Sequence, residues 1–211
     1  LYAMNELFLS SADNEALWVD LPKFKQKRPQ ENFINDCTKD LTTIWQSLID
    51  EIPDLSKDPK MMRINNEEAV LDEENESECN FFFRPRTQEY ILARLIKHML
   101  DEGELDLNEK TLRKEFKKIN KLPSSLFEAP WRDVLITLNE KDKWVMRPAG
   151  NDNKTALDLA LNLSLWITGV IAFDEEGIAE MKDNYFYLLT QAGISNIEKG
   201  LQWQKVVDLA N

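Results

Sequence analysis

The sequence predicts a mainly α-helical protein, a multi-helix bundle with one small β-hairpin near residues 134–147. Three observations lead there. Glycine is scarce, 6 in 211 residues, against abundant Leu, Glu, Lys and Asp, a balance that favours helices over a sandwich of short strands. Apolar residues recur every three or four positions through several long stretches, which is helical spacing. One run, Val134 to Leu138, favours β structure, with turn residues Asn139 to Asp142 behind it and Trp144-Val145-Met146 beyond. That order suits a hairpin, and its flanks also fit a short helix.

Residues 1–30 are expected to be a helical segment and a basic loop, continuing a domain that lies upstream. The chain begins with Leu1, as though in mid-helix, which suggests a piece of a longer protein. Ser10 to Asp13 offers a break and an N-cap. Pro22 and Pro29 bracket Lys23, Lys25, Lys27 and Arg28, a solvated connector or a loop that contacts phosphates.

A helical domain is expected over 31–211. Phe33, Ile34, Cys37, Leu41, Ile44, Trp45, Leu48 and Ile49 form one apolar stripe that Pro53 ends, so 31–52 reads as an amphipathic helix. Cys37 and Trp45 lie on its apolar face and are expected inside. Residues 66–79 carry seven carboxylates, from Glu67 to Glu78, and no basic side chain. Such a block repels itself and reads as a solvated loop.

The stretch from Cys79 to Ile96 organises the rest. Phe81, Phe82 and Phe83 are too apolar for a free loop, and Pro85 stops a helix or strand from running through them. A core helix then starts near Thr87, with Ile91, Leu92, Leu95, Ile96, Met99 and Leu100 on one face. Gly103 suits a left-handed stop. Asn108 caps a further helix with Leu112, Phe116 and Ile119 inward and Lys110, Arg113, Lys114, Lys117, Lys118 and Lys121 outward. Six positive charges stand there against Glu109 and Glu115. Helix, glycine turn and basic helix is the outline of a helix-turn-helix, and equally of a lysine-rich solvated face.

Leu126, Phe127 and Trp131, in a loop punctuated by Pro123 and Pro130, are expected to pack on the core. The helix opening at 151–155 is apolar nearly all round, as befits the middle of a bundle. Gly169 and Gly177 bracket a short segment, after which 178–192 and 194–210 close the domain. Ser195 and Glu198 make a capping box at the start of the last helix.

Chemistry is harder to find. Cys37 and Cys79 have no metal-ligand spacing and His98 is the sole histidine, so no metal and no cofactor are expected and the thiols read as reduced, in a cytoplasmic protein. His98, near a helix end, suits dipole and packing more readily than acid–base work. Phosphate-loop, nucleophile-elbow and paired-cysteine motifs are absent, and the expectation is a protein that is not an enzyme, any catalytic site lying upstream. No apolar run reaches the roughly 18 to 20 residues of a membrane span. A net charge of -12 argues against wholesale binding to nucleic acid, while leaving room for a local basic patch.

The order of several short motifs resembles the C-terminal helical part of DGQHR-domain proteins, the DndB-like group of DNA phosphorothioation systems. The pieces are Ile44-Trp45 with Glu51-Ile52-Pro53-Asp54, then Phe82-Phe83-Arg84-Pro85-Arg86-Thr87-Gln88-Glu89, then Pro130-Trp131-Arg132-Asp133-Val134-Leu135, and last Trp144-Val145-Met146 before the apolar helix led by Lys154. They cover roughly 31–170, and the Asp-Gly-Gln-His-Arg signature itself is absent. The resemblance implies a regulatory or accessory protein of bacterial DNA modification and defence, with DNA and other subunits of the system as partners. Lys110, Arg113, Lys114, Lys117 and Lys118, with the loop from Lys23 to Arg28, would neutralise phosphates. Arg84 and Gln88 would form a structural or ligand-contacting corner. The alternative is an interaction scaffold that docks a partner subunit, or oligomerises, without DNA.

Overall fold

The computed structural model describes residues 31–57, 70–75, 79–102 and 108–211, save 149. The whole of 1–30 with its predicted helical segment and basic loop from Lys23 to Arg28, Gly103, and Glu67, Glu68, Glu76 and Glu78 of the acidic stretch lie outside them. Among the described residues the architecture is mainly helical with one two-stranded antiparallel hairpin. The helices are α1 (Glu31–Glu51), α2 (Ala93–Glu102), α3 (Glu109–Phe116), α4 (Asn151–Thr168), α5 (Glu175–Gln191) and α6 (Asn196–Ala210), and the strands β1 (Ile136–Leu138) and β2 (Trp144–Met146). They group into two compact units, 31–56 with 93–120, and 57–92 with 121–211.

In the first unit α1 packs against α3. Ile44 and Leu48 on one helix and Leu112 and Phe116 on the other are fully buried, which is the period-3.6 stripe doing what its spacing requires. Pro53 ends α1 as expected, and Asn120 Nδ2 donates to the Glu51 carbonyl at 2.7 Å, satisfying one of the acceptors that a helix end leaves open. Asn108 caps α3 by accepting from the Thr111 amide at 3.0 Å. Cys37 is buried, whereas Trp45 is half-buried.

The second unit is built on the triple-phenylalanine plug. Phe81–Phe83 form one 3-10 turn capped by Asn80, whose Oδ1 accepts from the Phe82 amide at 2.8 Å. All three rings are buried. Phe81 stacks on Trp131 with ring centroids 4.4 Å apart and planes 12° from parallel. The backbone bonds in the same place: the Phe81 amide donates to Ser124 O at 2.6 Å and the Leu126 amide to Cys79 O at 2.7 Å. Leu126, Phe127 and Trp131 are buried, so the proline-punctuated loop does fold back on the core.

Thr87 and Gln88 close the plug from the far side. Thr87 Oγ1 donates to the carbonyls of Phe81 and Arg84, and Gln88 Nε2 to Phe82 O at 2.6 Å. One helical turn over Pro85–Thr87 leads into a π-helical turn at Gln88–Leu92 and then into α2. The sequence predicts an unbroken helix here. The structure has a wider π turn instead, with Ile91 and Leu92 wholly inside.

Helix α4 packs against the π turn, α5 and α6, with Ala156, Leu159, Ala160, Leu163, Leu165 and Ile167 buried. That is why it is apolar on nearly every side. It ends at Gly169 in the left-handed conformation, φ 69°, where a Cβ would be strained. Gly177 departs from expectation. It lies inside the first turn of α5, not before it, because Asp174 caps that helix by accepting from the Gly177 amide at 2.8 Å. Ser195 and Glu198 form the expected capping box. The hairpin pairs Ile136 with Met146, Thr137 with Val145 and Leu138 with Trp144. Asn139 Oδ1 accepts from the Lys141 and Lys143 amides in its turn.

Phe81→Ala is expected to destabilise the protein by about 3 to 5 kcal/mol, as for a large buried aromatic whose space cannot refill. A loss below about 1 kcal/mol in chemical denaturation would mean that the plug does not carry the second unit.

Candidate functional site

Two places in the described structure concentrate polar chemistry, one in each unit. The first is the outer face of α3 and the 3-10 turn after it, Lys117–Lys121. Lys110, Lys114 and Lys117 are all exposed. They recur at intervals of four and three, so they line one face, opposite the buried Leu112 and Phe116. Two of the other predicted phosphate contacts are already engaged. Arg113 pairs with Asp50, with Glu109 at 2.9 Å and with Glu51 at 3.8 Å, and Lys118 pairs with Glu115. Arg113 thereby ties α3 to the end of α1, a link worth up to about 1 kcal/mol at this exposure.

The corner residues lie elsewhere, in the second unit. Arg84 is fully buried beside the plug and Gln88, half-buried, is spent on the Phe82 carbonyl. Gln88 thereby helps to hold the turn at Phe81–Phe83. His98 is half-buried on α2.

The second place was not singled out by sequence. A cavity of about 630 Å³ opens between the loop 123–133 and the segment 194–209. Pro123, Phe127, Asp133, Ile194, Leu201 and Gln202 are among its walls. Its geometry starts from Arg147, which is buried and points back under the loop. The guanidinium donates from Nε to Val134 O at 2.7 Å and from Nη2 to Asp133 O at 2.6 Å, and the Arg147 amide donates to Leu135 O at 2.8 Å. Burial draws the Arg147 pKa down, while Asp152 and Asp133 pull it back up.

With its carbonyl held in this way, Asp133 adopts φ 64°, a left-handed conformation that costs most side chains about 1 kcal/mol. The residue is 3% exposed, and Oδ2 has no hydrogen-bond partner. The nearest cationic atom is Arg132 Nε at 4.0 Å, and that guanidinium also lies over the Trp144 ring, 5.2 Å from its centroid. Burial raises the Asp133 pKa, against a lowering by the Gln202 amide and by Arg132 and Arg147. Tyr185, deep beneath, donates its hydroxyl to Gln202 Oε1 at 3.1 Å. Its own pKa is pushed up, first by burial and then by the Asp133 charge.

Among the described residues no group of three or more His, Cys, Asp or Glu side chains could hold a metal ion, and no helix is long and apolar enough to cross a membrane. Comparison of the chain with protein-family models, with curated proteins and with solved structures finds no match.

A carboxyl whose folded pKa is raised favours the folded state when protonated and penalises it when ionised. Stability from this group therefore falls as pH rises from the ordinary value of 3.8 through the raised one. Asp133→Asn keeps a residue that tolerates the left-handed turn and removes the buried charge. The variant is expected to be more stable than the parent by about 1 kcal/mol at neutral pH, with the gap closing in acid. Urea denaturation at two pH values measures both. A less stable variant at neutral pH would show that the charge is well compensated.

Proposed function

We propose that this chain is a non-catalytic, cytoplasmic, DNA-associated protein, a regulatory or accessory component of a bacterial DNA-modification and defence system, as the DGQHR resemblance implies. The lysine row Lys110, Lys114 and Lys117 carries the DNA part of this reading. The row is exposed, its spacing follows one face, and the cation that would crowd it, Arg113, is committed to Asp50 and Glu109.

The net charge of -12 does not oppose such contact at working salt. Charges farther than a Debye length, about 8 Å at 0.15 M, are largely screened, so the local lysines decide the encounter. Three phosphate contacts give modest affinity and no base readout, which suits an accessory factor whose specificity comes from other subunits.

A second reading, a docking module without DNA contact, is supported by Ile197 and Leu201. They stand one turn apart on α6 and are 78% and 63% exposed.

Replacing Lys110, Lys114 and Lys117 together by alanine is expected to weaken binding to a labelled duplex in fluorescence anisotropy. The slope of log affinity against log salt should become shallower by about 2 to 3, with the melting temperature nearly unchanged. Arg113 is left intact because its loss would disturb α1 and α3. Unaltered binding would remove this face, and an absence of DNA binding with a concentration-dependent mass would favour the docking module.

A further inference from the structure

We infer that the cavity between 123–133 and 194–209 binds a small organic cation, an ammonium or guanidinium group on an apolar body, with Asp133 as the buried counter-charge. The size is right for such a ligand, since small-molecule pockets run from roughly 300 to 1,000 Å³, and this one holds about 630 Å³.

Charge sets the sign of the ligand. Four carboxylates line the cavity: Glu128, Asp133, Glu198 and Asp208. Two cations, Arg132 and Lys205, oppose them, and Arg132 is drawn over the face of Trp144. The apolar part of the ligand has a wall to meet. Phe127 is buried behind the cavity, and Leu201, 63% exposed, stands at its edge.

Asp133 makes the cavity more than a cluster of acids. A turn held by Arg147 at φ 64° would accept asparagine or glycine at lower cost than a buried carboxylate. Asparagine would keep the turn and leave no ion to desolvate. The chain instead places a charge there, 3% exposed and with one oxygen lacking a hydrogen bond. A cationic ligand supplies the missing donor, and brings a positive charge closer than the 4.0 Å at which Arg132 stands. Gln202, which accepts from the Tyr185 hydroxyl, already hydrogen-bonds the carboxyl and leaves Oδ2 open. A single ordered water would satisfy the oxygen too, and it makes a different forecast, because water gives the site no preference for a cation.

The test is isothermal titration of the whole chain, at pH 8, with phenethylamine and with its neutral counterpart 2-phenylethanol. Saturable binding of the amine but not the alcohol is expected, weakened about tenfold or more in Asp133→Asn and strengthened in Lys205→Ala. The asparagine variant is expected to fold, so its loss of binding is read on an intact protein, which a melting curve verifies. Equal binding of amine and alcohol, indifference to Asp133→Asn, or no saturable binding of the amine up to about 10 mM would overturn the inference.

Discussion

Two backbone hydrogen bonds, from the Phe81 amide to Ser124 and from the Leu126 amide to Cys79, set the frame on which the second unit depends. They join segments more than forty residues apart, and they do so where three phenylalanines have nowhere to go but inward. Once the plug is pinned, Trp131 must stack on Phe81, and its indole nitrogen reaches Pro123 O at 2.7 Å. The loop 122–131 is then closed at both ends. Arg147 completes the arrangement by holding the carbonyls of Asp133 and Val134. An apolar packing decision at 81–83 thus fixes the backbone of a charged residue fifty positions later. The desolvation of that residue follows from the fold and not from its neighbours in sequence.

Much of the architecture was legible because it rests on local rules. The stripe from Cys37 to Leu48, from which the predicted Ile49 departs by being exposed, the stop at Pro53, the Asn108 cap, the Ser195–Glu198 box and the left-handed Gly169 are each a short-range match of residue type to backbone need. The hairpin was legible too, from β-favouring runs either side of an Asn-initiated turn. What escaped was partly local and partly set by distance. Gly177 reads as a helix breaker until Asp174 is seen capping over it. The π turn at 88–92 leaves no signal in residue type, since Ile91, Leu92, Leu95, Ile96, Met99 and Leu100 keep a three-and-four spacing that an unbroken α-helix would also show. In the DGQHR resemblance Asp133 is one letter of a degenerate motif. Its φ, its burial and its open oxygen arise from Arg147 and α6, which no window around position 133 contains.

The lysines show the same division. Their number and spacing on α3 were readable, but not their commitments. Arg113 and Lys110 look alike in sequence, and only the tertiary fold sets Arg113 against Asp50 while leaving Lys110 open to solvent. The two candidate surfaces consequently differ in the charge they invite. An exposed row of cations on the first unit suits a polyanion, and a cavity with a surplus of carboxylates on the second suits a cation. Neither preference is visible in the net charge of -12, which averages over both.

That separation is the central claim, and an isotope-labelled NMR titration tests it most directly. A short duplex is added to one sample and phenethylamine to another, and backbone amide shifts are followed by residue. The duplex is expected to move amides around 109–118 and leave 194–209 in place, while the amine does the reverse. Shifts from both ligands on one common set of residues, or a duplex that moves 194–209 and not α3, would contradict the account.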